Sequence, residues 1–188
     1  MHGSAHIAFF FFDFNDEKKQ NAHALLVSLL HQLSDKDDAF LDILHGYHKR
    51  NLSPPGESEL TQCLEDMVRV SKVPVFLVVD ALDESPNTLG VPSKRYNVLQ
   101  LIKGFMQWNA PNLRLSVTSR REDDIESTLT PFKSTSHHIS LDGNDKQKLD
   151  IDEYIKSMVD SDAYSKLGWT DDDKRLVIKT LSNKADGM

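Results

Sequence analysis

The chain alternates between short runs of apolar residues and longer segments in which apolar residues recur with helical spacing. The first run, His6–Phe14, is continuous, and leucines then recur at three- and four-residue intervals between Lys19 and Leu33. Continuous apolar runs are typical of parallel strands covered on both faces, whereas the leucine spacing is typical of an amphipathic helix. Because a strand-like run followed by a helical segment recurs along the chain, the pattern predicts an α/β fold with a mostly parallel sheet.

The same pattern predicts four strands with helices between and after them. The strands are expected at His6–Phe14, Val73–Val79, Leu113–Thr118 and His137–Leu141. The helices are expected at Lys19–Leu33, Asp37–Lys49, Ser58–Val70, Ser93–Trp108 and Arg121–Leu129, and then at about 146–160 and 171–185. Thr170 is the expected N-cap of the last helix, because aspartates fill the turn that follows it and carboxylates there favour the helix dipole.

Composition narrows the class of protein. A length of 188 residues is enough for one domain with its own core, and the single Cys excludes an intramolecular disulfide framework or a cysteine-rich zinc module. The formal net charge is −7 and no segment is basic, so nucleic acid is not an expected partner. The longest apolar run, Ile7–Phe12, is far shorter than the roughly 20 residues of a membrane helix. We therefore expect a cytoplasmic protein without a membrane partner.

Three acidic residues follow the second predicted strand, in the segment VPVFLVVDALDES. Asp80 comes directly after the apolar run, and Asp83 and Glu84 follow it three and four residues later. Ligands of open α/β sheets bind beyond the carboxyl ends of the strands, so these acids are expected at a binding crevice. An acid at the strand end suits Mg²⁺, and one just beyond it suits an attacking water. The alternative is that Asp83 and Glu84 only begin a turn or cap a helix.

A second polar group follows the third predicted strand, in the segment LRLSVTSR. It places Thr118, Ser119 and Arg120 at a strand end. A guanidinium there could contact the terminal phosphate of a nucleotide. The alternative for Arg120 is a surface ion pair with Glu122 or Asp123. Ser119 lacks the GxSxG context of a nucleophile elbow.

Other candidate patterns have simpler structural explanations. His45 and His48 lie three residues apart on a predicted helix, and His137 and His138 are adjacent, but no spacing supplies a third metal ligand. Cys63 lies in an apolar helical row, which favours a buried structural thiol. The aromatic run Phe9–Phe12 is expected to contribute to the core, because successive strand residues point to opposite faces.

Taken together, these segments resemble the NACHT family of STAND-class P-loop NTPases, particularly the nephrocystin-like NACHT proteins that are abundant in fungi. FFFFDFNDEKKQ resembles the family strand that follows its first helix, and LLVSLLHQLS and LTQCLEDM resemble later helices. VFLVVDALDES resembles the Walker B segment, and LRLSVTSRRE resembles the sensor strand. The resemblance extends over nearly the whole chain.

The resemblance implies a role for each candidate residue. Asp80 corresponds to the Walker B acid that is associated with Mg²⁺, and Asp83 and Glu84 correspond to the additional acids, with Glu84 expected to position water. Arg120 corresponds to the sensor arginine, although the family usually has a proline where this chain has Arg121. The implied cofactors are Mg²⁺ and ATP or GTP. The implied enzyme class is an NTP hydrolase.

The sequence lacks one motif of the family. A P-loop requires GxxxxGK[ST], and no glycine of this chain is followed by Lys and then Ser or Thr. We therefore expect a truncated three-layer P-loop NTPase fold. It would lack the first strand, the Walker A motif and the pairing of that strand with its neighbours in the sheet. Residues 1–145 would form the partial nucleotide-binding core, and residues 146–188 a truncated helical segment of the same domain. We expect weak nucleotide affinity and no hydrolysis by this chain alone.

The leading hypothesis is therefore a fragment of a nucleotide-dependent NACHT signalling switch. One alternative is a non-catalytic module that oligomerises with copies of itself or with full-length NACHT relatives. Another is an incomplete gene product without independent function. A metal-dependent phosphatase or nuclease that uses Asp80, Asp83 and Glu84 is the remaining alternative.

Overall fold

A three-stranded parallel sheet organises the first of two units, residues 1–134 and 135–188, into which the chain divides. The computed structural model describes residues 5–50, 54–88, 92–132, 137–140, 145–161 and 167–184. The strands are β1 (His6–Phe11), β2 (Val75–Asp80) and β3 (Leu113–Val117), in that order across the sheet. Both neighbouring pairs are parallel, with Ile7 opposite Phe76 and Leu77 opposite Leu115. These are the first three predicted strands.

Helices connect the strands at nearly the predicted positions. They are α1 (Ala22–Ser34), α2 (Asp38–Arg50), α3 (Glu57–Val70), α4 (Lys94–Gln107) and α5 (Asp123–Leu129). Side-chain caps precede α1 and α4: Asn21 accepts a hydrogen bond from the Ala24 N–H at 2.9 Å, and Ser93 accepts one from the Tyr96 N–H at 3.1 Å. Such caps satisfy donors that the first helical turn cannot pair internally.

One face of the sheet packs against these helices and forms the core. On β1 and just beyond it, Ala8, Phe10 and Phe12 are buried. Their neighbours across the sheet are Val75, Leu77 and Val79 of β2, and the largest helical contribution comes from leucines of α1. The period of two in burial follows from the alternation of side chains along a strand.

The opposite face of the sheet is open, which corrects the expectation that the strands are covered on both faces. Ile7, Phe9 and Phe11 of β1 are 54%, 47% and 50% exposed, and Phe76 of β2 is 39% exposed. We call these four residues the open sheet face. The prediction of a three-layer arrangement is therefore wrong for the described residues of this unit, which form one sheet and one helical layer.

The direction of the chain explains the open face. The chain moves from β1 to β2 to β3 in one direction across the sheet. Parallel crossovers are right-handed, so two successive crossovers in the same direction place their helices on the same side. Helices on the other side would require a crossover in the reverse direction. The apolar run in the sequence could not reveal this, because it specifies apolar residues on both faces without specifying what covers them.

The prediction of a fourth strand at His137–Leu141 is wrong for the residues that the structure describes. Residues 137–140 carry no strand and are exposed, and Ile139 is 81% exposed. Leu141 lies outside the described residues. An isolated apolar residue between two histidines and a serine supplies too little burial to hold a strand in place. Consequently, none of the described strands pairs with the outer edge of β3, where the exposed Arg114 gives the edge a charge.

The second unit contains α6 (Asp145–Val159) and α7 (Asp171–Lys184), which pack against each other. The predicted N-cap of α7 is confirmed: the Thr170 N–H donates to Asp173 Oδ2 at 2.9 Å, and the Asp173 N–H donates to Thr170 Oγ1 at 3.3 Å. The hydrogen bonds from Thr170 lower the pKa of Asp173. In the part of the chain that the structure describes, no helix has the length and apolarity needed to cross a membrane.

Two adjacent phenylalanines test the difference between the faces. We expect Phe10→Ala to lower the free energy of unfolding by about 3–5 kcal/mol, because it leaves a cavity in the core. Phe9→Ala, on the open sheet face, is expected to cost about 1 kcal/mol or less. Urea denaturation of the full chain measures both. Equal losses would contradict the assignment of an open face, and Phe10→Leu provides a milder core variant if Phe10→Ala does not fold.

Candidate functional site

The carboxyl ends of β2 and β3 meet at one edge of the sheet, and polar residues follow both. Asp80 is the last residue of β2, and Thr118 comes directly after β3. The Thr118 hydroxyl donates a hydrogen bond to Asp80 Oδ1. The Thr118 N–H donates to the Val79 carbonyl at 2.9 Å, so the ladder between the strands continues to this point. Two oxygen-bearing side chains that could ligate a metal ion, a carboxylate and a hydroxyl, are thus fixed next to each other.

The chain turns sharply after Asp80, through a residue in the left-handed region. Ala81 has φ 54° and ψ 46°. Its N–H donates to Thr118 Oγ1 at 3.1 Å, and the Leu82 N–H donates to the Thr118 carbonyl at 3.0 Å. A non-glycine residue in this conformation costs about 1–2 kcal/mol, which the surrounding contacts must offset. Thr118 therefore holds both the acid and the turn that follows it.

Asp83 is engaged with the segment after β3. Its side chain is only 10% exposed, and its Oδ1 accepts a hydrogen bond from the Arg120 N–H at 2.9 Å. The Ser119 hydroxyl donates to the same oxygen at 3.4 Å, and Arg120 Nε lies 3.6 Å from Asp83 Oδ2. The structure therefore brings Asp83 and Arg120 together. The acid partner of Arg120 here is Asp83, whereas the sequence suggested Glu122 or Asp123.

Glu84 and Asp80 connect the site to the end of β1. Glu84 Oε2 accepts a hydrogen bond from the Phe14 N–H at 3.3 Å. The Asp80 carbonyl accepts one from the Phe12 N–H at 3.1 Å. All the candidate residues at positions 80, 83, 84 and 120 therefore belong to one network that follows the ends of three parallel strands.

Two residues of this network were missed by the sequence analysis. Gln20 is buried, and its side-chain Nε2 donates a hydrogen bond to the Phe14 carbonyl at 2.7 Å. The backbone carbonyl of Gln20 accepts a hydrogen bond from the Ser85 hydroxyl at 2.9 Å. Arg95, in the first turn of α4, is also buried, and it contacts the turn that carries Asp83. A buried charged residue leaves no signature in the hydrophobic pattern, so only its distant partners identify it.

The side-chain oxygens at the strand ends fit a magnesium ion that takes most of its ligands from water and phosphate. Mg²⁺ commonly takes one or two protein carboxylates and completes its octahedron with water and phosphate oxygens. Asp80 and Thr118 supply a carboxylate and a hydroxyl. Among the residues described by the structure, no group of three or more His, Cys, Asp or Glu side chains is arranged to hold a metal ion. A metal held by protein carboxylates alone does not fit these residues.

The other sequence candidates lie elsewhere. His45, His48 and Cys63 line an apolar cavity of about 280 Å³ between α2 and α3. Cys63 is buried, as predicted, and burial, with Asp66 adding to it, raises the pKa of its thiol to about 11. A thiol with this pKa is a poor nucleophile near neutral pH. His137 and His138 are exposed in the second unit.

Comparison with known proteins gives one family match. Residues 2–120 match the model of the family described as Nephrocystin 3, N-terminal. This range includes β1, β2, β3 and every candidate residue of the strand-end network up to Arg120. No curated protein matched the chain, and no solved structure matched it.

The left-handed turn gives a test of the site's backbone. We expect Ala81→Gly to leave the free energy of unfolding unchanged or to raise it by up to about 1 kcal/mol, because glycine adopts this conformation without a Cβ penalty. Ala81→Val is expected to lower it by about 2 kcal/mol or more, because a β-branched residue is strained there. Urea denaturation compares the two variants. Equal stability of Ala81→Val and the wild type would contradict the turn geometry.

Proposed function

The chain belongs to the Nephrocystin 3, N-terminal family, and from this premise we propose that it forms the magnesium and sensor side of a nucleotide-dependent switch. The class that we propose is the NACHT group of STAND P-loop NTPases, which the Walker B and sensor segments of the sequence resemble. In such a switch, the bound nucleotide controls a conformational change and assembly. The proposed ligand is a nucleoside triphosphate, ATP or GTP, with Mg²⁺.

One observation carries the proposal: Asp80 and Thr118 touch at adjacent strand ends, and Arg120, two residues after Thr118, is anchored to the same edge of the sheet by Asp83. The Arg120 side chain is 83% exposed, although its backbone is fixed by Asp83. A guanidinium that is held at its base and accessible at its tip can pair with the charge of a terminal phosphate. The position also agrees with the rule that ligands of parallel sheets bind beyond the carboxyl ends of the strands.

Each residue has a distinct proposed role. Asp80 would hold Mg²⁺ with the help of Thr118, and Arg120 would pair with the terminal phosphate. Glu84 would position the attacking water, since one of its oxygens is oriented by the Phe14 N–H. Asp83 was expected to take part in the chemistry, but its contacts with Arg120 favour a positioning role. Mg²⁺, when bound, would offset the negative charge that develops on the phosphates.

The proposal is limited to one side of the nucleotide. The 188 residues contain no GxxxxGK[ST] segment, so they supply no Walker A cradle of backbone amides for the phosphates. Without those contacts, we expect the isolated chain to bind Mg–ATP or Mg–GTP weakly and not to hydrolyse it. Micromolar affinity in a calorimetric titration would contradict this expectation.

A second candidate function is a non-catalytic interaction module that binds copies of itself or NACHT relatives. The observation that favours it is the open sheet face, because four large apolar side chains there are between 39% and 54% exposed. Contiguous apolar surface of this kind often marks a protein interface. Sedimentation of the purified chain would separate the candidates: a monomer at all concentrations would count against self-association.

Paramagnetic broadening tests the proposed metal site. We expect Mn²⁺, added with ATP to the full chain, to broaden the amide NMR signals of Ala81 and Thr118 first. Asp80→Asn is expected to abolish this local broadening, because it removes the carboxylate ligand. Asp38→Asn, which removes an exposed acid in the first turn of α2, is the control and is expected to change nothing at the site. Broadening that persists in Asp80→Asn would contradict the assignment.

A further inference from the structure

We propose that Arg95 is a positioning residue that fixes the acid-bearing turn after β2 and, through Asp83, the backbone of Arg120. No pattern in the sequence singles out Arg95, which is the second residue of α4. The effect of Arg95 on how Arg120 meets a bound phosphate rests on the proposed function. The effect of Arg95 on the backbone of the site does not. The two parts can therefore fail separately.

The Arg95 guanidinium joins three segments of the chain. Its Nε donates to the Ser85 carbonyl at 2.8 Å, and its Nη2 donates to the Asp83 carbonyl at 2.5 Å. Its Nη1 donates to Asp124 Oδ1 at 3.3 Å and lies 3.7 Å from Glu122 Oε2. The side chain is 9% exposed, so these contacts are largely shielded from water. They connect the turn after β2, the start of α4 and the start of α5.

Only an arginine can make this set of contacts. A guanidinium presents five N–H donors in a fixed plane, so it can donate in several directions at once. A lysine has one charged nitrogen and could not reach both carbonyls and a carboxylate in the same geometry. The buried charge is compensated by Asp124 and Glu122, whose side chains are 33% and 46% exposed. Removing the guanidinium would leave two carbonyls and two acids without this partner.

Asp83 is consequently held at two points. Its carbonyl accepts from Arg95, and its carboxylate accepts from the Arg120 N–H at 2.9 Å. If the carbonyl is released, the carboxylate loses its fixed position relative to the strand end. The Arg120 N–H is then held by an acid whose own backbone Arg95 no longer fixes. Arg95 therefore acts on the sensor position through Asp83, without contacting a ligand itself.

Amide hydrogen exchange on the full chain tests this coupling without any ligand. In Arg95→Lys, we expect the Arg120 and Leu82 amides to exchange at least about tenfold faster, while the amides of Leu77 and Val79 in β2 are unchanged. Arg69→Lys is the matched control, because Arg69 also pairs with a carboxylate, Glu65, and donates to a backbone carbonyl, that of Trp108. It is expected to leave the Arg120 amide unchanged.

Three results would overturn the proposal. Equal acceleration in β2 and at Arg120 would mean that Arg95 only contributes to overall stability. An unchanged Arg120 amide in Arg95→Lys would mean that it only connects α4 to α5. Asp124→Asn neutralises the acid of α5 that pairs with Arg95 and keeps both carbonyl contacts, so it is expected to spare the Arg120 amide. If Asp124→Asn accelerated exchange of the Arg120 amide as much as Arg95→Lys does, the Arg120 backbone would depend on α5 and not on the carbonyl contacts of Arg95.

The wild-type chain provides a measurement that does not depend on whether Arg95→Lys folds. If Arg95 and Arg120 are coupled, the Arg95 Nε–H and the Arg120 N–H open together and respond equally to low urea concentrations. Independent opening would contradict the coupling. With Mn²⁺ and ATP added, the Arg120 amide of the wild type is expected to broaden together with that of Ala81, whereas Arg95→Lys is expected to keep the broadening at Ala81 and to reduce it at Arg120. No broadening in the wild type would contradict the proposed function alone.

Discussion

The direct parallel pairing of β2 with β3 is the constraint on which the candidate site depends. It places the end of β2 beside the end of β3, so Asp80 and Thr118 meet although 37 residues lie between them along the chain. The Thr118 hydroxyl then contacts both Asp80 and the Ala81 N–H, and the Thr118 carbonyl holds the Leu82 N–H. A shift of one residue in this register would remove all of these contacts at once.

The same topology accounts for the distribution of apolar surface. Two right-handed crossovers in one direction bury one face of the sheet under helices and leave Ile7, Phe9, Phe11 and Phe76 exposed on the other. The network at the strand ends and the open sheet face are thus separate consequences of one strand order. The network lies at the carboxyl edge, where polar side chains follow the strands, and the apolar residues lie along the strands themselves.

The sequence predicted the features that depend on local pattern. Continuous apolar runs located β1, β2 and β3, and leucine spacing located α1, because periodicity is a property of neighbouring residues. Asp80 and Arg120 were predicted as candidate site residues from their position after strands. The partners of these residues were not predictable in this way: Arg95 contacts Asp83 and Asp124, which lie 12 and 29 residues away along the chain. The strand predicted at His137–Leu141 is absent from residues 137–140, because their one apolar residue, Ile139, supplies too little burial to hold a strand in place.

The central claim is that the carboxyl edge of this sheet binds a divalent cation together with a nucleotide. Anomalous X-ray scattering from crystals of the full chain grown with Mn²⁺ and ATP tests it most directly. The account predicts a manganese peak within about 2–2.5 Å of an Asp80 carboxylate oxygen, with the terminal phosphate beside Arg120. Manganese bound only elsewhere on the chain, with nucleotide absent from the strand ends, would contradict it.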